Sequence, residues 1–160
     1  MNFTFKKLLK SDLQLIKYWL SQPHVSRWFD DIDDWMNEIS SNPDSDWIWH
    51  FRADLSSKPV GFVQYYDILK APKGPWSSQP PGTVGIDFLI GSQDQLGKGY
   101  GILLVNDFVE FLIDRAKPKR IIADPVKENI ASLRTLKRCG FTFDKESDLF
   151  FKETSKCRIG

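Results

Sequence analysis

Gly97, Gly99 and Gly101 alternate within Gln95-Leu96-Gly97-Lys98-Gly99-Tyr100-Gly101-Ile102, a spacing that can hold a phosphate. Alternating glycines let backbone N–H groups crowd around one point, and a helix start adds partial positive charge there. Two familiar phosphate loops are excluded. Counting from Gly97, Ile102 stands where a Rossmann turn needs its third glycine, and Lys98 is followed by Gly99 where a Walker loop needs Ser or Thr. A nucleotide-like cofactor with a pyrophosphate fits; a helix with a flexible entry is the plainer alternative. Two carboxylates stand out beside this loop. Asp87 and Asp124 each sit among apolar strand-like residues, where an unpaired carboxylate is costly. Each can serve a substrate proton. Each also has a structural alternative: a fixed hydrogen bond for Asp87, and a turn cap through Pro125 for Asp124.

The elements around these residues follow from periodicity. Thr83 to Ile90 is strand-like, and Asp87 alternates with Ile86 and Phe88, so it projects from the opposite sheet face. Ile102 to Ile113 carries apolar residues at helical spacing, and Ile121 to Ala123 is a short buried strand that Pro125 stops. Asn129 suits a helix start, Ile130, Leu133 and Leu136 form an apolar face, and Gly140 is a helix stop. Upstream, Phe3 to Leu9 alternates as a first strand, and Ser11 is the expected N-cap of a helix through Leu20. Short helices are expected over Val25–Trp28 and Asp31–Ser40. Strands are expected over Trp47–Leu55 and Val60–Ile68, joined by a Ser56-Ser57-Lys58-Pro59 turn. Ala71 to Gly82 holds four prolines and two glycines and is read as a loop. Phe141–Asp144 and Leu149–Lys152 can close the chain as a hairpin. The order predicts one mixed α/β sheet with its middle strands near Asp87 and Asp124.

A strand, Gly97-Lys98-Gly99-Tyr100-Gly101 opening a helix, a second strand, and Asn129 with Ser132, Leu136 and Gly140-Phe141 together resemble the GCN5-related N-acetyltransferases (GNAT). Trp19-Leu20, His24-Val25, Trp28-Phe29, Gly61 to Tyr66, Gly85-Ile86-Asp87 and Asp124-Pro125 narrow the likeness to the aminoglycoside 6′-N-acetyltransferase branch and the related siderophore-lysine acyltransferases. The likeness runs from about residue 3 to about residue 145 and treats residues 1–160 as one domain. It implies a mostly antiparallel central sheet flanked by helices, with splayed middle strands between which pantetheine lies. It implies acetyl-CoA as cofactor, held by Leu89, Ile90, Gln95, Leu96, Gly97, Lys98, Gly99, Tyr100, Gly101, Ile102, Asn129, Ser132 and Lys137. The pyrophosphate would rest on the amides of Leu96 to Gly101. Asp87 and Asp124 would bind or deprotonate the acceptor amine, beside Trp28, Gln64 and Tyr66. The Leu89 N–H would be the oxyanion donor. Many members carry a tyrosine where this chain has Leu136, and leucine cannot protonate a leaving thiolate.

That chemistry makes demands the residues can meet. An alkylamine has a pKa near ~10.4, so about one molecule in a thousand is neutral at pH 7, and a carboxylate beside it can take the proton. Between Trp28 and Phe51 there is no Lys or Arg, but there are seven acidic residues: Asp30, Asp31, Asp33, Asp34, Glu38, Asp44 and Asp46. Basic residues gather later, from Arg115 to Arg138. An anionic cofactor suits the basic end, and a polycationic small-molecule amine suits the acidic one. A solvated helix face is the alternative for each block. With the net charge at +1 and the two blocks balanced, nucleic acid is not an expected partner. The length fits one core, and no apolar run reaches a membrane span. Cys139 and Cys157 lack a CxxC spacing, so a reduced, cytoplasmic protein is expected, as monomer or homodimer. His24 and His50 lack metal-ligand spacing, and no metal is expected; His24 is read as fixing a loop. The leading function is acetyl transfer to an aminoglycoside. The alternatives are a siderophore-lysine, polyamine or peptide acyltransferase of the same fold, or a non-catalytic CoA-binding module.

Overall fold

The computed structural model describes residues 1–41 and 43–154; Cys157 lies outside them. Among the described residues, seven strands form one sheet in the order β1-β2-β3-β4-β5-β7-β6. They are β1 (Phe3–Lys7), β2 (Ile48–Leu55), β3 (Lys58–Asp67), β4 (Thr83–Ile90), β5 (Arg120–Ala123), β6 (Thr142–Asp144) and β7 (Leu149–Glu153). Only β4 and β5 run parallel; every other pairing is antiparallel. The helices are α1 (Leu13–Ser21), α2 (Pro23–Ser26), α3 (Ile32–Ser41), α4 (Tyr100–Arg115) and α5 (Ile130–Arg138). Among the described residues no helix is long and apolar enough to cross a membrane.

Strand alternation sorts the core into two faces. Val63, Tyr65, Ile86 and Phe51 meet α4 through Leu104, Phe108 and Leu112. Phe62 and Leu89 meet Ile16, Trp19 and Leu20 of α1 on the other face. Asp87 belongs to this second face, opposite Gln64 of β3.

The parallel β4–β5 ladder runs only from Thr83↔Arg120 to Ile86↔Ala123. β5 then ends, and Pro125, which has no N–H to give a ladder, follows Asp124. β4 continues through Asp87 to Ile90, still paired with β3 but, among the described residues, with no strand on its other side. The splay expected of the middle strands is therefore present, and Asp87 and Asp124 stand where it opens.

Two upstream details differ from expectation. The helix expected from Ser11 begins at Leu13, because Asp12 accepts the Leu9 N–H at 2.9 Å and closes a 3-10 turn over Lys10–Asp12. The β2–β3 turn is two residues, not four. Ser56 and Ser57 both take positive φ (51° and 67°), as a tight hairpin with matching twist requires, so Lys58 and Pro59 already belong to β3.

Candidate active site

Two clefts meet at the free half of β4. Asp87 lines one of about 400 Å³. Its neighbours Phe88, Leu89 and Ile90 line the other, of about 700 Å³.

The larger cleft is built mainly from backbone. Gly97 and Gly99 have φ of +75° and +80°, a region other residues enter at a cost, and nothing lies within 4 Å of where their Cβ atoms would be. The loop thus presents bare backbone to open space. α4 starts just after it, and Leu103 N–H reaches back to the Gly99 carbonyl at 3.2 Å. The first-turn amides of Tyr100, Gly101 and Ile102 precede that bond and have no intrahelical acceptor. The second helix start is fixed by Asn129, whose Oδ1 accepts the Ser132 N–H at 3.2 Å. A cradle of free amides with room above it fits a pyrophosphate.

The placement of the expected cofactor residues is mostly collective. Leu89, Ile90, Gln95, Leu96, Gly97, Gly99, Tyr100, Gly101, Ile102, Asn129 and Ser132 all line this cleft. Lys98 and Lys137 are exposed and do not line it. Arg134 and Thr135, not anticipated, do; they follow Ile130 and Ala131 by four residues on α5, so helical spacing was the available signal. Trp28 also lies here, beside His24 and Phe29, and not among the residues around Gln64 and Tyr66. The cause is α2, a single turn started by Pro23, in which His24 Nε2 bonds the Ile90 carbonyl at 2.9 Å. That bond draws the segment to the end of β4.

The amide expected as oxyanion donor needs correction. Gly91 N–H bonds the Val60 carbonyl, so by strand alternation Leu89 and Asp87 also direct their N–H groups to β3. Phe88 and Ile90 direct theirs to the gap, as the His24 bond to the Ile90 carbonyl shows. Those two amides, not that of Leu89, face the opening. Leu136 is wholly buried in the main core; the hydroxyls lining the cleft are those of Tyr100, Ser132 and Thr135.

The smaller cleft is built from side chains. Gln64, Tyr66, Asp87 and Asp124 converge there, as the sequence suggested. Asp34, Trp35 and Glu38 from α3 join them, with Trp47, Lys73 and Trp76. Gly85 makes room: a Cβ there would overlap the Tyr66 ring. Trp76 meets that ring edge-on at 5.4 Å and closes the wall from the 71–82 loop. The loop is held by Trp76 Nε1–H on the Pro72 carbonyl at 3.1 Å and by Gly74 N–H on Ser77 Oγ at 2.8 Å.

Its electrostatics are those of crowded carboxylates. Burial pushes Asp87 up to about 6; Asp124 adds to the rise, and an N–H from Gln64 Nε2 at 2.9 Å opposes it. Burial raises Asp124, with a further push from Asp148 against a pull from Lys127. Glu38 is raised by burial and by Asp87. Tyr66 is raised by burial and then by Asp87, Asp124 and Glu38, so its phenol stays protonated. The site destabilises its own negative charge, and a bound cation would relieve that.

Residues 8–149 match the family model described as an acetyltransferase (GNAT) domain. The chain belongs to the GNAT family. By that membership it is an acetyl-CoA-dependent N-acetyltransferase. It is 29% identical over 149 residues to aminoglycoside N(6′)-acetyltransferase type 1 of Klebsiella pneumoniae, covering 86% of this chain and 73% of that one. A shorter match, 35% over 71 residues, joins 43% of this GNAT chain to 66% of a kanamycin resistance protein of Rhizobium radiobacter. The fold superposes on aminoglycoside acetyltransferase AAC(6′)-Ib in complex with coenzyme A and kanamycin with a TM-score of 0.83 at 25% identity, covering 96% of each chain.

Proposed function

We propose that this acetyltransferase acetylates a primary amine of a polycationic small molecule of the aminoglycoside class. The observation that carries the reading is the meeting of two unlike clefts on one strand. Asp87 faces an acidic, aromatic cleft, and the next residue faces the glycine-loop cleft. Four carboxyl groups, Asp34, Glu38, Asp87 and Asp124, line the first, enough to hold several ammonium groups. Trp35, Trp47, Trp76 and Tyr66 give it flat walls that suit charged rings over a thin linear amine. The 29%-identical relative acts, by its name, on aminoglycosides, in keeping with this chemistry.

Acetyl-CoA supplies the activated acyl group. The amides of Gly97 to Ile102 and Arg134 would hold its anionic end, and the Phe88 and Ile90 amides would face its carbonyl oxygen. Asp87 takes the proton of the amine. With a pKa near 6 it is mostly ionised at neutral pH, yet a better match to the task than an ordinary carboxylate. Asp124 and Glu38 hold neighbouring positive charge and help keep the amine in place. Trp35 and Trp76 wall the cleft.

Asp87→Asn keeps the shape and removes the base. Its kcat should fall at least tenfold, within the roughly 10²–10⁴ that a general base contributes. Calorimetric affinity for acetyl-CoA should stay at the wild-type value. Full turnover in this variant would place the base elsewhere.

A further inference from the structure

His50, Gln64 and Asp87 lie side by side across three strands. His50 of β2 is opposite Gln64 of β3, which is opposite Asp87 of β4, so all three side chains leave the same sheet face. Gln64 gives an Nε2–H to Asp87 Oδ2 at 2.9 Å. That bond turns its carbonyl oxygen, Oε1, away from the carboxylate. Gln64 is 2% exposed and His50 7%, and among the described residues Gln64 Oε1 and both His50 ring nitrogens lack a hydrogen bond of good geometry. Two adjacent buried residues thus hold an unmatched acceptor and an unmatched donor. A neutral imidazole has one N–H, and an amide oxygen can accept it. The ring stacks on Phe62, with centroids 6.0 Å apart, and lies opposite Gln64 in the strand register.

We propose that His50 is a positioning residue: it donates to Gln64 Oε1 and so keeps the Gln64 amide turned with its N–H on Asp87. The assignment rests on Asp87 being the base. The imidazole suits the task because burial pushes its pKa down to about 4, against a smaller opposing pull from Gln64, so it stays neutral at working pH. Without a donor at position 50 the amide can flip and point its oxygen at the carboxylate. Asp87 would then lose the Gln64 bond that favours its charged form, and its pKa would climb above the value near 6. The other groups around Asp87 act in both states: Asp34 and Glu38 from α3, Asp124 after β5, Tyr66 from β3, and Lys73 from the 71–82 loop. On its own strand the next residue on the face of His50 is Arg52, which is paired with Asp12 and Asp54.

The test compares the pH dependence of kcat/KM in wild type, His50→Phe, His50→Asn and His50→Gln with one amine substrate. Phenylalanine keeps the ring and the stack on Phe62 but has no N–H; the amides each keep one. The acid limb should move to higher pH by about half a unit or more in His50→Phe, and return to the wild-type position in at least one amide variant. An unmoved limb in His50→Phe, or equal shifts in all three, overturns the proposal. The wild-type protein offers a check independent of variant folding, since it has only two histidines. Nitrogen-15 NMR should show His50 as a neutral imidazole with one slowly exchanging N–H from pH 7 to pH 5. Protonation of His50 near its ordinary value would overturn the proposal too. Full activity of Asp87→Asn would instead defeat the reading of Asp87, which neither histidine outcome imitates.

Discussion

The glycine-loop cleft and the acidic cleft share β4 but are made of different material. The first is a set of backbone amides at two helix starts, fixed by φ angles and caps. The second is a set of side chains brought from α3, β2, β3, β4, the 71–82 loop and the residue after β5. A backbone site recognises what all donors have in common and tolerates little change in conformation. A side-chain site can be altered residue by residue. Under the proposed function the first would hold the donor and the second would set the choice of acceptor.

The sharpest way to break that contrast is at the loop. Gly99→Val forces a branched side chain into a φ of +80° and into the open space above the amides. Affinity for acetyl-CoA by calorimetry should fall about a hundredfold, roughly 3 kcal/mol. Binding of the amine to the free enzyme should stay unchanged. Intact acetyl-CoA binding would mean that the pyrophosphate lies elsewhere.

A smaller effect sharpens the other side. The acidic run from Asp30 to Asp46 divides in the fold. Asp34 and Glu38, four residues apart on α3, line the cleft with Asp87, whereas Asp30, Asp31 and Asp33 line a separate hollow with Lys17. Asp34→Asn with Glu38→Gln should raise KM for an aminoglycoside about tenfold and for a monoamine much less, because exposed pairs contribute only about 0.2–1 kcal/mol each. The difference should shrink as salt rises. Neutralising Asp30, Asp31 and Asp33 together should leave both constants nearly unchanged. An equal response to both sets of substitutions would reduce the run to a general field.

The same division of material explains what could be read from the sequence. Gly97, Gly99 and Asn129 advertise backbone needs through residue type alone, so the donor cleft was legible as a local pattern. The β4 carboxylate was legible too, since Asp87 interrupts an apolar strand. Lys98 and Lys137 are basic and close to the motif, and the fold leaves both exposed and outside the lining of the cleft. Trp28 lines the glycine-loop cleft because His24 bonds Ile90 across 66 residues, a contact that no local pattern shows. The His50 row was hidden by register. A four-residue turn would set His50 against Tyr65, on the wrong face, and the two-residue turn alone would set it against Val63. The shift between Ala53 and Asp54 restores Gln64 as its partner. Such a one-residue irregularity has no clear signature in composition or periodicity. Only the fold shows that Trp35, Trp47 and Trp76 wall a cleft.

The central claim is that one cleft delivers an acetyl group and the other selects a polycationic amine to receive it. The most direct measurement is thiol release from acetyl-CoA by the wild-type protein, with an aminoglycoside and with a monoamine, at low and at physiological salt. Turnover should occur with both, with kcat/KM at least tenfold higher for the aminoglycoside at low salt and the advantage reduced at physiological salt. No thiol release with either amine, or equal kcat/KM for the two at low salt, would contradict the account.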